Sequence, residues 1–246
     1  MADLKGKKAL VTGGSRGIGA AIAKQLASEG ADVAITYRAS VEMAKQVVTE
    51  IKQYGVNSIA LQADAIQAEN VAAAVKEMIR QLGGLDILVN NAGIVDSKLV
   101  TETTLEDFDR IIQINVRSVF AAVCEAVKVM GEGGRIINIG SMYGDMIPFP
   151  RRSLYTMSKG AVAAMSRGWA RDLGAKGITV NTVQPGPIDT DMKPTDPSVV
   201  NTISAMTAIR RYGTPQEVAE LVTFLASSKA GNITGATLNV DGGMTA

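Results

Sequence analysis

Short apolar, β-branched runs alternate with longer stretches of helical period along the whole chain, and this alternation limits the possible fold more than any other feature. The first run is KKALVTG at residues 7–13, and a helical pattern follows from Ile18 to Glu29, closed by Gly30. Next come a run at Asp32–Tyr37, a helix near 41–54, a run at Ser58–Gln62, a helix near 69–82 and a run at Asp86–Asn90. A long helix is expected over 104–130, with nothing stronger than β-branched residues to interrupt it. RIINIGS (135–141) precedes a helix near 153–174, ITVNTV (178–183) precedes a helix near 215–226, and ATLNV (236–240) ends the series. Strands separated by helices of about ten residues or more imply βαβ units and a parallel sheet. Strands that are apolar nearly throughout imply helices on both faces. The expectation is a single doubly wound, Rossmann-type α/β domain over 1–246 with a seven-stranded parallel sheet. The proline-rich stretch from Pro185 to Pro197 reads as a loop after the sixth strand, continued as loop over 187–207.

Composition narrows the chemistry. With 246 residues and 46% hydrophobic, the chain can bury one large core. A formal net charge of +1 gives no basic footprint for nucleic acid. The start, MADLKGKKALVTGG, lacks the apolar stretch of a signal peptide, and no run approaches the ~18 apolar residues of a membrane span. The single cysteine, Cys124, cannot form an internal disulfide and reads as a helix residue rather than a nucleophile. A cytoplasmic protein with neither a nucleic-acid nor a membrane partner is expected. The chain contains no histidine, which excludes a Ser-His-Asp triad and histidine-based zinc sites, and no metal site is expected. Acid–base work must fall to Tyr, Lys, Asp or Glu.

Between the first run and the first helix lies TGGSRGIG, residues 12–19. Glycine allows close backbone approach to a phosphate, and the following helix aims free N–H groups at an anion. The spacing is Gly13-x-x-x-Gly17-x-Gly19. An NAD site needs a carboxylate at the end of the second strand for the ribose 2′-hydroxyl, whereas an NADP site needs arginine. Here the strand ends in Tyr37-Arg38, and its acid, Asp32, is at the opposite end. Arg16 lies within the glycine loop, so two guanidiniums could flank a 2′-phosphate. NADP(H) is the expected cofactor.

In SLYTMSKG, Tyr155 and Lys159 stand at i and i+4 and share one helix face. A neighbouring ammonium would favour the phenolate and bring the tyrosine into useful range without histidine. Ser141 closes the fifth strand, Asn90-Asn91-Ala92-Gly93 the fourth and Pro185-Gly186 the sixth. Ligands of doubly wound sheets gather at such strand ends.

With these elements in this order, the sequence resembles the short-chain dehydrogenase/reductase family over essentially its whole length. TGGSRGIG, Asp64, NNAG (90–93), Asn115, Ser141, Tyr155-x-x-x-Lys159 and PGPIDT (185–190) carry the resemblance. It implies hydride transfer between a nicotinamide and a ketone/alcohol pair. Tyr155 would exchange the proton, Ser141 would hold the carbonyl oxygen, Lys159 would bind the nicotinamide ribose, and Asn115 would anchor a relay water. It implies further cofactor contacts from Ser15 and Ile18, from Tyr37 and Ser40 beside Arg38, and from Asp64 and Ala65 at the adenine. Asn91, Ala92 and Gly93 would meet the adenosine ribose side, and Pro185, Gly186, Ile188 and Thr190 the carboxamide side. A homotetramer or homodimer is a family expectation.

The substrate is less determined. Met142, Tyr143, Met146, Ile147, Phe149, Met192, Ile203 and Met206 suggest an apolar, adaptable wall for a small-molecule carbonyl or alcohol substrate. Arg151 and Arg152 precede the catalytic helix; they could meet an anionic substrate, but read first as solvated charges. The pattern is similar to 3-oxoacyl-acyl-carrier-protein reductases and carbonyl reductases. However, Glu132 occupies a position where reductases of acidic carrier proteins often carry a base, while Lys176 matches a second basic position. Ser141–Asp145 and PGPIDTD (185–191) also resemble short-chain-type proteins proposed to bind a cyclic dinucleotide.

Overall fold

The computed structural model describes residues 3–246. Seven strands form one parallel sheet: β1 (Lys8–Val11), β2 (Asp32–Tyr37), β3 (Ser58–Gln62), β4 (Ile87–Asn90), β5 (Arg135–Ile139), β6 (Thr179–Pro185) and β7 (Thr237–Val240). Their spatial order is β3-β2-β1-β4-β5-β6-β7. The direction of winding therefore reverses between β1 and β4.

Strand side chains divide between two cores with a period of two, as the pleat requires. Ala9 and Val11, Val33 and Ile35, Ile87 and Val89, and Ile137 and Ile139 enter one core. Leu10, Ala34, Leu88, Ile136 and Val180 enter the other. The register aligns these sets, with Leu10 opposite both Ala34 and Leu88, and Ile136 opposite Leu88 and Val180. The first face is covered by α1 (Gly17–Ser28), α2 (Val41–Lys52) and α8 (Pro215–Ala226). The second is covered by α3 (Ala68–Leu82), α5 (Ser118–Ala126) and α6 (Ser153–Leu173). Helix boundaries follow local chemistry. Thr214 caps α8 by accepting from the Glu217 N–H, the Glu217 carboxylate returns to the Thr214 N–H, and Pro215 occupies the first turn.

Two expectations are corrected. The helix expected over 104–130 is α4 (Leu105–Ile112), a π-helical turn at Gln113–Arg117, and α5, which ends at Ala126. The widened turn holds Asn115, whose side chain is bonded to another part of the chain, and Ser118 Oγ donates to the Ile114 carbonyl at 2.6 Å. The 187–207 segment is not all loop, because α7 (Pro197–Met206) forms within it. Asp196 caps α7 by accepting from the Ser198 N–H at 2.8 Å, with Pro197 in the first turn. Among the described residues, no helix is long and apolar enough to cross a membrane.

Candidate active site

A cleft of about 580 Å³ runs along the carboxyl ends of the strands at the β1/β4 reversal. All the residues expected at the cofactor line it. The glycine turn supplies Gly13, Ser15, Arg16, Gly17, Ile18 and Gly19, and the end of β2 supplies Tyr37, Arg38 and Ser40. Asp64 and Ala65 follow β3, Asn91 to Gly93 follow β4, and Pro185, Gly186, Ile188 and Thr190 follow β6. Ser141, Tyr143, Tyr155 and Lys159 close the inner end.

The glycine turn is shaped by close packing. Gly17 has φ +54°, and a Cβ on Gly19 would overlap the Asn91 amide and the Gly13 backbone. Thr12, the first residue of the motif, ties the two sides of the reversal together. Its Oγ1 accepts from the Asn91 and Ala92 N–H groups, each at 3.0 Å, while Asn91 Nδ2 donates to the Thr12 and Gly13 carbonyls. Gly13 N–H donates to Thr36 Oγ1 at 3.0 Å. Among the described residues no side chain caps α1 at Arg16. Its first-turn N–H groups are therefore open to an anion, which fits a dinucleotide pyrophosphate.

Two arginines were expected to flank a 2′-phosphate. Arg38 is exposed at the end of β2, and its main-chain carbonyl accepts from Gln62 Nε2. Arg16 is instead paired with Asp191, which ties the glycine turn to the segment after β6. Both partners are half-exposed, so the pair is worth only about 0–1 kcal/mol and can yield to a phosphate.

At the inner end, α6 presents Tyr155 and Lys159 on one face, as their spacing implies. The Tyr143 and Tyr155 rings meet edge to face with centroids 5.9 Å apart. Lys159 is 6% exposed, and its Nζ donates to the Ile139 carbonyl at 2.8 Å. Burial pulls the Lys159 ammonium down to about 8. Burial also pushes the Tyr155 phenol up, opposed by a hydrogen bond with Ser141 and by the charge of Arg152. This corrects the expectation that Lys159 lowers the tyrosine: its ammonium is turned to Ile139, and Nζ lies 5.8 Å from the Tyr155 ring centroid.

Lys159 carries a consequence for stability. A lysine whose folded pKa is depressed binds fewer protons than in the unfolded chain between the two values, so its penalty lifts as pH rises through that window. Wild type is therefore expected to gain stability relative to Lys159→Met between pH of about 8 and the ordinary lysine value of 10.5. Urea midpoints measured across that range test this. A pH-independent difference would mean that the ammonium is not desolvated.

Asn115 lies beneath the cleft wall, fully buried. Its Nδ2 donates to the Ile94 carbonyl at 2.9 Å and Ser158 Oγ at 3.0 Å, and its Oδ1 accepts from the Ile94 N–H at 2.8 Å. Both amide hydrogens are thus engaged, leaving acceptor capacity alone for a water. Of the expected substrate residues, Met192 lines the cleft, as do Met142, Phe149 and Ile203, but Met146 and Met206 do not. The main-chain turn that bonds the Met146 N–H to the Met142 carbonyl carries Met146 outward, and Met206 ends α7 with its side chain toward solvent. Ile147 is also exposed. Sequence reasoning missed Tyr212 and Lys193 on the wall, which no motif marks. It also underweighted Arg152, which lines the cleft.

Known proteins resemble the chain over nearly its whole length. A family model described as Enoyl-(Acyl carrier protein) reductase matches residues 13–245. The chain is 42% identical to the cyclic-di-GMP-binding biofilm dispersal mediator protein of Escherichia coli, over 98% of each chain. It is also 42% identical to the 3-oxoacyl-(acyl-carrier-protein) reductase FabG of Staphylococcus aureus, over 97% of this chain and 98% of that one. A solved short-chain dehydrogenase from Burkholderia cenocepacia, in complex with NADP, superposes with a TM-score of 0.97 at 48% identity, covering 99% of this chain and 100% of that one. Matches of this length and identity, on the same fold, show that the chain belongs to the short-chain dehydrogenase/reductase family of oxidoreductases.

Proposed function

We propose that the protein is an NADPH-dependent reductase of small or apolar ketones and aldehydes. The observation that carries this reading is the convergence of Ser141, Tyr155 and Lys159 at the inner end of the cleft whose outer end holds the glycine turn and Arg38. NADPH, when bound, supplies the hydride. The open N–H groups of α1 would hold its pyrophosphate, Arg38 its 2′-phosphate and Asp64 its adenine side. The Ser141 and Tyr155 hydroxyls are hydrogen-bonded to each other, so both would donate to one substrate oxygen, which suits a carbonyl that becomes an alkoxide. Tyr155 gives its proton to that oxygen, and its raised pKa keeps the proton in place until charge develops there. Lys159, fixed by Ile139, retains N–H donors for the nicotinamide ribose. Asn115 acts as a positioning residue, holding the 91–95 wall against α6 through Ile94 and Ser158.

Two other readings rest on relatives of equal identity. The name of the S. aureus relative points to reduction of 3-oxoacyl chains on acyl carrier protein, and that of the E. coli relative to binding of cyclic di-GMP. Initial rates of NADPH and NADH oxidation against aryl ketones, diketones and an acetoacetyl thioester separate the three. Turnover of simple ketones with NADPH far above NADH is expected. Preference for the thioester would move the assignment to acyl-chain reduction. Tight NADPH binding without turnover of any carbonyl would favour the nucleotide-binding role.

A further inference from the structure

Five cationic side chains line the cleft: Arg16, Arg38, Arg152, Lys159 and Lys193. Arg16 is paired with Asp191, Lys193 with Asp189 at 3.0 Å, and Lys159 is bonded to the Ile139 carbonyl. Arg38 stands where a 2′-phosphate would lie. Arg152 remains, and among the described residues no carboxylate lies within ion-pair distance of it. Its neighbour Arg151 is turned elsewhere, donating to Glu102 at 2.8 Å and to the Ser97 carbonyl at 3.2 Å.

Arg152 is held in place without being neutralised. Its Nη1 donates to the Asp96 carbonyl at 3.1 Å, and its guanidinium carbon lies 5.9 Å from the centroid of the Tyr143 ring. That ring in turn packs against Tyr155. A guanidinium has five N–H donors, and the protein uses one of them. The acids on the cleft wall are Asp64, after β3, and Asp191, which Arg16 occupies. The inner end thus carries an uncompensated, pre-oriented fork of donors beside the proton donor. Tyr212, also on the wall, adds a buried hydroxyl without a partner among the described residues.

We infer that the substrate is an oxo acid, a ketone whose carboxylate is gripped by Arg152 while its carbonyl oxygen lies at Ser141 and Tyr155. This rests on the reductase reading above. A planar carboxylate matches the guanidinium edge with two parallel hydrogen bonds, and the Tyr143 face leaves that edge free. The ketone carbon accepts a hydride from NADPH, the carbonyl π pair moves to oxygen, and the Tyr155 proton neutralises it. The products are a hydroxy acid and NADP⁺, and the carboxylate is unchanged.

The test compares 2-, 3- and 4-oxo acids with their methyl esters, which keep the ketone and lose the charge. Two quantities are measured for wild type, Arg152→Gln and Arg152→Lys. One is the acid-to-ester ratio of kcat/KM. The other is the acid-to-ester ratio of affinity for the NADP⁺-loaded protein by calorimetry, which needs no turnover. Arg152 also acts on Tyr155, so rates on both substrates can shift together, and the ratio cancels that shared effect. Wild type should favour one acid over its ester by about tenfold to a hundredfold, the range of charged hydrogen bonds. Arg152→Gln should bring the ratio to one or below, and Arg152→Lys should fall between. A wild-type ratio at or below one for every chain length overturns the inference, as does a ratio that Arg152→Gln leaves in place. Turnover of neutral ketones with no acid preference would sink this inference and spare the reductase reading. Acid-selective binding lost in Arg152→Gln, with no carbonyl reduced, would keep the carboxylate site and sink the reductase reading.

Discussion

Tyr155→Phe should lower kcat by about 10²–10⁴-fold, the range contributed by a positioned general acid, while the NADPH dissociation constant stays within about threefold of wild type. The substitution keeps the ring, so the edge-to-face packing on Tyr143 survives and the fold should not suffer. Of the hydroxyls on the wall, the Tyr155 phenol is the one hydrogen-bonded to Ser141, and histidine and a nearby carboxylate are not available in its place. The chain has no histidine, and the acids on the cleft wall are Asp64, after β3, and Asp191, beside Arg16. Lys159 is committed to Ile139, and its buried ammonium titrates near 8. Single-turnover rates with a ketone, together with a fluorescence titration of NADPH, check both halves. A variant that retains more than about a tenth of the wild-type rate would remove Tyr155 from the role of proton donor.

Arg38→Asp should invert coenzyme choice, lowering kcat/KM for NADPH by about 10²-fold or more and raising that for NADH. A charged hydrogen bond to phosphate is worth about 1.5–3 kcal/mol, and the new carboxylate adds repulsion to the loss. The same carboxylate can accept from a ribose 2′-hydroxyl, which is the arrangement of NAD sites at this position. Arg38 is exposed and, among the described residues, its guanidinium makes no hydrogen bond or ion pair, so the melting temperature should change little. Arg16→Ala should cost less, because Arg16 already shares its charge with Asp191. Persistence of NADPH preference in Arg38→Asp would transfer the discrimination to Arg16 or elsewhere.

Much of the molecule was legible because its signals are local and repeated. Strands such as Arg135–Ile139 are buried on both faces and read as mostly apolar, β-branched runs, and Tyr155 and Lys159 share a face by spacing alone. What escaped depends on distant partners. The π-helical turn at 113–117 accompanies bonds from Asn115 to Ile94 and Ser158, which no window around residue 115 contains. Burial pushes the Tyr155 phenol up against the pull of Ser141 and Arg152, whereas i+4 spacing suggested that Lys159 would bring it down. Arg151 and Arg152 are indistinguishable in sequence, yet one is tied to Glu102 and the other lines the cleft. α7 is a different case. Its cap, Asp196, and its first-turn proline were present, but the surrounding prolines suggested loop.

That helix differs from the rest of the domain in one respect. None of the residues of α7 is buried, although Ile203 reaches the cleft. Replacing an exposed side chain ordinarily changes stability by no more than about 0.5 kcal/mol. The reacting groups are carried by strand ends and by α6, where most substitutions would disturb a core. A lineage can therefore exchange what it recognises by drifting through α7 while inheriting its chemistry intact, and descendants of one such chain can diverge in diet long before they diverge in fold.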